Sequence, residues 1–299
     1  MLALRSTLVI DALDEAGLAA APRSAADAIA IDLASPAVHG ARERARALAG
    51  RRMRAIAEAG RPVHVRVSDT RSGELDADLD AVVGEHLAVI VLSGAEVPQD
   101  VRDADVAIRK REMRLSMEPG GIRLIPEIDS AEALTHLARI LNAVDRHTAV
   151  ALSVDGLRDD MRLGDRATAL YDHAMADIAV AAHTARLPWV LAMTHHRPET
   201  APLPTRAHDF GAAGVTVHQE AAARGMNALF APDPTEVLVA REMVAEWDRL
   251  RARGAWVGVV AGEMLETRTY DRLVDRRSVR RARALIALAD AIATREAAR

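Results

Sequence analysis

The chain has 299 residues, half of them hydrophobic and 27% charged, with 39 basic against 43 acidic side chains and a net charge of −4. Such a composition builds a large core and excludes a disordered, collagen-like or coiled-coil fibre; without a basic excess, nucleic acid and anionic membranes are not expected partners. With no cysteine, disulfides, thiolate metal sites, iron–sulfur clusters and a cysteine nucleophile fall away together, so any metal must be held by carboxylates or histidines.

Residues 1–10 lack the charged start and small-residue cleavage site of a signal peptide, and no apolar run approaches the roughly 20 residues of a membrane span, so a cytoplasmic location is expected. Eight short runs rich in Val and Ile follow, at 7–10, 28–33, 63–67, 87–92, 122–128, 148–154, 189–193 and 215–217. Longer Ala/Arg/Glu-rich stretches with helical spacing separate them, 37–60 and 130–144 among them, which is the alternation of a parallel sheet. Each run is apolar nearly throughout, as strands covered on both faces must be. Eight such units predict a TIM (β/α)8 barrel over 1–232, with a doubly wound open sheet as the competing topology. The remaining residues, 233–299, carry helical patterns at 235–253 and 278–297 around a Gly-rich stretch. They are expected to form a C-terminal helical extension packed on the barrel or on a neighbouring subunit, with no second domain. Apolar positions at helical spacing in this tail, Val237, Ala240, Met243, Val244 and Trp247, predict a homo-oligomer, a trimer or a hexamer built from trimers.

In a barrel of this kind the chemistry sits at the carboxyl ends of the strands. The residues there are Asp11, Asp32, Arg66 with Ser68 and Asp69, Ser93, Asp129, Asp155, Thr194 with His195 and His196, and His218. Asp129 and Asp155 follow consecutive strands and can converge as the protein's share of a Mg²⁺ site; the competing reading makes them helix caps, a role aspartate readily takes. Arg66 interrupts the apolar strand Val63-His64-Val65-Arg66-Val67, and a buried guanidinium needs an anion, either a substrate carboxylate or a structural aspartate such as Asp32. His218, with an ordinary pKa near neutrality, is a candidate acid–base group. His195 and His196 read as a loop pair rather than zinc ligands, because adjacent strand residues face opposite ways and no third ligand has zinc spacing. No glycine pattern makes a dinucleotide loop, so a nicotinamide cofactor is not expected. Lys110, the only lysine, lies in the charged run Arg109-Lys110-Arg111-Glu112, which argues against a Schiff base and hence pyridoxal phosphate (PLP).

Taken together these segments resemble the citrate lyase β-subunit-like family of the HpcH/HpaI aldolase superfamily, of which the chain is identified as a diverged member. Arg5-Ser6 resembles the family's start, Ala26 to Leu33 its second strand, and Val65-Arg66-Val67 its Val-Arg-Val-Asn, whose arginine binds substrate. Ile128-Asp129-Ser130-Ala131 is similar to Ile-Glu-Thr-Ala, with aspartate where the family has its metal-binding glutamate. Asp155 followed by Asp159 resembles the segment that supplies the second metal ligand. Gly214 to His218, Asn227 to Pro232 and Asp271 to Ala282 are similar to later stretches, the last being the closing signature. The resemblance implies a Mg²⁺-dependent carbon–carbon lyase, with Mn²⁺ as a substitute metal, acting on a hydroxy- or keto-acid or its acyl-CoA. It assigns Asp129 and Asp155 to the metal, Arg66 to the substrate, and Asp275, reaching a neighbouring subunit's site, to proton transfer; Asp32, beside Arg66, joins the substrate residues, and His218 joins the proton-transfer residues for its near-neutral pKa. Three positions depart from the family pattern: Ala34-Ser35 replace its Glu-Asp pair, Gly94 its lysine and Glu132 its arginine. They keep open a second reading, a barrel that serves as a binding or scaffolding subunit.

Overall fold

The computed structural model describes residues 3–164, 167–193, 202–260 and 273–297, with the backbone of 264–265, 268–269 and 272. Its contacts divide the chain into two compact units, Leu4–Phe230 and a second that takes the part from Ala231 onward together with Ala3. The first is the expected barrel. Ser6–Asp11 (β1), Ala28–Asp32 (β2), Val63–Val67 (β3), Val89–Leu92 (β4), Arg123–Ile128 (β5), Val150–Ser153 (β6), Trp189–Ala192 (β7) and Gly214–Val217 (β8) pair in parallel, each with the next. β8 returns to β1 with Ser6 opposite Val215, which closes the cylinder and leaves no open edge. Outside it run Glu15–Ala20 (α1), Arg42–Glu58 (α2), Leu75–Val82 (α3), Pro98–Arg114 (α4), Ala131–Leu141 (α5), Val154–Met161 (α6), Thr168–Ala185 (α7), Leu203–Asp209 (α8) and Glu220–Leu229 (α9). The strands hold together because both of their faces are covered: Ile29, Ile31, Ile90, Leu92, Leu124 and Ile128 are fully buried, each contributing about 1.5–3 kcal/mol of transfer free energy.

The strand starts, at the face opposite the mouth, are tied by buried ion pairs. Glu112, near the end of α4, is wholly buried and accepts four hydrogen bonds, two from Arg146 and one each from the Gly120 and Ile122 backbone, all at 2.9 Å. Burial alone would push its carboxyl up, but these donors outweigh burial and hold it below the usual glutamate range. Arg146→Ala should cost about 3–5 kcal/mol, because it strands a buried charge rather than removing a pair. Denaturant unfolding monitored by circular dichroism reads that loss, and an unchanged midpoint would show that the network carries no stability.

In the second unit, Asp233 caps Pro234–Ala252 (α10), its Oδ1 accepting from the Thr235 and Glu236 backbone. The predicted apolar stripe is real but already covered: Ala240, Met243 and Trp247 share a small core with Val274, Val279 and Ala282, the last two on Arg276–Ala297 (α11). It therefore does not by itself demand a partner chain. Short strands Gly258–Val260 and Arg272–Val274 pair antiparallel, with Val259 opposite Leu273 and both more than half exposed. Beside them the Arg251 guanidinium lies 3.3 Å over the exposed Trp256 ring, which meets Trp247 edge-on at 6.3 Å. Among the described residues no helix is long and apolar enough to cross a membrane.

Candidate active site

Alternate strand residues face the barrel axis, so Ala30 and Asp32, His64 and Arg66, Ile125 and Glu127, and Thr216 with His218 line one interior cavity of about 50 Å³. That volume holds at most a few water molecules. Substrate contact must therefore occur at the mouth above it, where the loops after the strands begin.

Arg66 finds two internal anions. Its Nε donates to Glu127 Oε2 at 2.6 Å and its Nη1 to Asp32 Oδ1 at 3.3 Å, while Nη2 reaches Ser93 Oγ at 3.4 Å. Burial would lower the guanidinium pKa, but Glu127 and Asp32 outweigh it and keep the group charged. The sequence reading offered Asp32 as a structural partner and that contact exists, but the closer one, Glu127, was missed. Alternation along β5 carried the signal: Glu127 lies two residues before Asp129 and faces the same way.

Asp129 and Asp155 do not act as the helix caps they resemble. Ser130 caps α5, its Oγ accepting from Ala133 N at 3.1 Å, and Ser153 caps α6, accepting from Gly156 N at 3.2 Å. Asp155 stays buried in the first turn of α6. Asp129 Oδ2 accepts from the Gly94 backbone N–H at 3.0 Å. Gly94 adopts φ +62°, a left-handed conformation natural to glycine, so a backbone dipole faces Asp129 from the position where a lysine was expected. The turn bearing Asp155 packs directly on Asp129, since a Cβ placed on Gly156 would come 2.5 Å from Asp129 Cβ. Burial first, and then the negative Glu127, push the Asp129 carboxyl up to about 6, against the Gly94 hydrogen bond and the Arg66 charge. A cation placed beside this carboxylate would oppose both causes. Hard oxygen donors from two adjacent strand ends suit Mg²⁺, with waters and substrate oxygens as further ligands. Among the described residues no three His, Asp or Glu side chains cluster as a metal site.

His218 donates through Nε2 to the Met193 carbonyl at 2.5 Å, which fixes that tautomer and holds the ring at the rim between β7 and β8. His195 and His196 lie outside the described residues. Asp275 belongs to the C-terminal unit, where it caps α11: its Oδ1 accepts from Ser278 N at 2.7 Å and its own N–H donates to Ser278 Oγ. Those Ser278 hydrogen bonds hold its carboxyl below the usual range.

The family model described as HpcH/HpaI aldolase/citrate lyase matches residues 5–223. Similar solved structures include a citrate lyase from Burkholderia xenovorans, 18% identical with a TM-score of 0.71, covering 98% of this chain and 93% of that one. The protein CitE from Mycobacterium tuberculosis, solved with magnesium, acetoacetate and coenzyme A, is 17% identical with a TM-score of 0.62, covering 96% and 100%. RipC from Yersinia pestis is 22% identical with a TM-score of 0.61, covering 78% and 97%. At these identities the likeness is one of fold. No curated protein matches the chain.

Proposed function

Because the chain belongs to the HpcH/HpaI aldolase/citrate lyase family, we propose that it is a Mg²⁺-dependent carbon–carbon lyase, or catalyses the reverse condensation, on a hydroxy- or keto-acid or its acyl-CoA thioester. The observation that carries this reading is the packing of the Asp155 turn against Asp129 while neighbouring serines cap both helices. Asp129 and Asp155 would hold the cation. When bound, the cation supplies positive charge to an oxygen that becomes an enolate as the carbon–carbon bond breaks. Arg66 binds and orients the substrate's carboxylate, with Asp32 steadying its Nη1. In the cleavage direction a base takes the proton of the hydroxyl, a carbonyl forms, and the bonding pair moves to the enolate, which is then protonated on carbon. We assign those proton transfers to Asp275 of a neighbouring subunit, with His218 as the group already at the rim. The assembly proposed with it is a homotrimer or a hexamer of trimers, and the exposed apolar pair Val259 and Leu273 supports an association of subunits.

A thermal shift series tests the metal: Mg²⁺ or Mn²⁺ should raise the melting temperature and excess EDTA should reverse it, since a ligand of the native state alone must stabilise it. No metal response would sink the reading. The second reading, a barrel that binds without catalysing, draws on Arg66 being already engaged by Glu127 and Asp32; it predicts ligand-induced shifts with no turnover over a panel of keto-acids and acyl-CoA compounds.

The raised Asp129 pKa sets a pH dependence with a definite sign. In the metal-free protein the proton-bound form is favoured by folding, so this group's contribution to stability is lost as pH rises from the ordinary carboxylate range through about 6. Protons and cation compete for the same carboxylate. Mg²⁺ affinity, measured by calorimetry, should therefore strengthen as pH rises through about 6 and level off above it. Affinity flat across that interval would remove Asp129 from the ligand set.

A further inference from the structure

Asp129 Oδ2 accepts from the Gly94 N–H, and a glycine, free to rotate about φ and ψ, cannot by itself hold such a donor in place. The hold comes from the loop after β3. The Gly94 carbonyl accepts from Arg71 Nη2 at 2.9 Å, while Arg71 Nη1 is anchored on Glu96 Oε2 at 2.8 Å and reaches Asp100 Oδ2 at 3.4 Å. Asp100, buried in the first turn of α4, accepts in addition from the Glu96 and Val97 N–H groups at 2.9 and 3.0 Å and from Thr70 Oγ1 at 2.7 Å. The loop carrying Thr70 and Arg71 is thereby fastened to the loop after β4, which carries Gly94. Because a guanidinium is a rigid planar fork, its two ends set the Gly94 carbonyl at a fixed distance from the start of α4. With the carbonyl on Arg71 and the N–H on Asp129, the φ of +62° is determined from both sides. Space reserves the position for glycine as well, since a Cβ there would stand 3.0 Å from Asp69 Cβ and 3.6 Å from Arg71 Nη2.

A carboxylate can offer a cation one oxygen or two, and the choice discriminates between metals. Mg²⁺ is small and demands near-octahedral geometry, whereas Ca²⁺ takes about 6–8 oxygens in flexible arrangements and readily accepts both oxygens of one carboxylate. At Asp129 the Gly94 N–H already sits on Oδ2. Its positive end repels a cation that would span both oxygens, which leaves Oδ1 as a single ligand. We propose, resting on the reading of Asp129 as a metal ligand, that Arg71 is a positioning residue that acts through Gly94 to hold Asp129 as a one-oxygen ligand, and so selects Mg²⁺ over Ca²⁺. Arg71 is suited to this because its charge is already matched by Glu96 and Asp100, so it stiffens the loop without bringing an unmatched cation to the metal's side.

The test is calorimetric titration of the metal-free protein with Mg²⁺ and, separately, with Ca²⁺. Wild type should bind Mg²⁺ more tightly than Ca²⁺. Arg71→Met should weaken Mg²⁺ binding about 10–100-fold, the usual loss when the support of a metal ligand is removed, with Ca²⁺ binding equal or tighter, so that the preference falls about tenfold or more. Thr70→Val breaks the neighbouring bond to Asp100 without touching Gly94 and should keep the preference. Hydrogen–deuterium exchange of residues 93–97 in the metal-free protein should quicken in Arg71→Met as the Gly94 N–H opens to solvent. An unchanged preference or unchanged exchange in Arg71→Met overturns the role. Equal weakening of both metals, or the same loss of preference in Thr70→Val, reduces Arg71 to support of the loop and overturns it too. If Arg71→Met fails to fold by circular dichroism, Arg71→Lys decides: the ammonium keeps the charge beside Glu96 and Asp100 but lacks the fork, so the preference should still fall about tenfold, and a wild-type preference overturns the proposal. Wild type that binds no Mg²⁺ refutes the metal reading itself and takes this role with it, whereas wild type that binds Mg²⁺ no more tightly than Ca²⁺ removes the selection alone.

Discussion

Asp129→Asn should abolish Mg²⁺-dependent turnover, by about 10³-fold or more, while the barrel keeps or slightly gains stability. On the proposed function, the loss follows from removing one of two charged ligands from a site that stabilises an enolate electrostatically. The retained stability follows from the environment of the side chain. Asn still accepts the Gly94 N–H, and it no longer sets a buried negative charge beside Glu127, the repulsion that, after burial, raises the Asp129 pKa. Parallel measurements of steady-state turnover and of melting temperature with and without Mg²⁺ distinguish this from general damage: the metal-free melting point should hold or rise, and the Mg²⁺-induced increase should vanish. Asp155→Asn should behave the same way toward the metal. An Asp129→Asn protein that still responds to Mg²⁺ would exclude Asp129 as a ligand.

Asp275→Asn should lower turnover by about 10²–10⁴-fold if Asp275 moves the proton, with metal binding and melting temperature unchanged. The separation is unusually clean because its local role can be replaced. Asp275 caps α11 through Ser278, and asparagine caps about as well as aspartate. A cap alone therefore predicts wild-type turnover. Mixing Asp275→Asn subunits with Asp129→Asn subunits adds the geometric test: activity returns in mixed oligomers if one site is built from two chains, and none returns if both residues serve one chain.

Much of the barrel was legible because short, largely apolar runs alternate with longer stretches of helical spacing, the order a parallel sheet with covering helices requires. The ends were less so. Val154 extends the apolar run of β6, yet it opens α6 and is buried there. In the site, Arg66 announced itself as a charge inside an apolar strand, but its partner Glu127 is 61 residues away, and only closure of the cylinder brings β3 and β5 within reach across β4. Asp129 and Asp155 were legible as strand-end acids; that Ser130 and Ser153 relieve them of capping was written in adjacent residues and overlooked. The part played by Gly94 depends on a backbone conformation, φ +62°, that no side-chain pattern records. Asp275 shows the opposite limit, a residue whose local geometry is fully accounted for by a cap.

The three tryptophans are divided unequally, and this makes the protein its own spectroscopic reporter. Trp189 is buried at the start of β7 in the barrel, with no hydrogen-bond partner for its indole nitrogen among the described residues, whereas the buried Trp247 and the exposed Trp256 sit with Arg251 in the C-terminal unit. Blue-shifted emission should therefore come from the buried Trp189 and Trp247, and the red-shifted component from Trp256, which meets solvent. A Trp189→Phe protein would leave emission from the C-terminal unit alone, so that comparing its unfolding with that of the unaltered protein separates loosening of that unit from melting of the barrel.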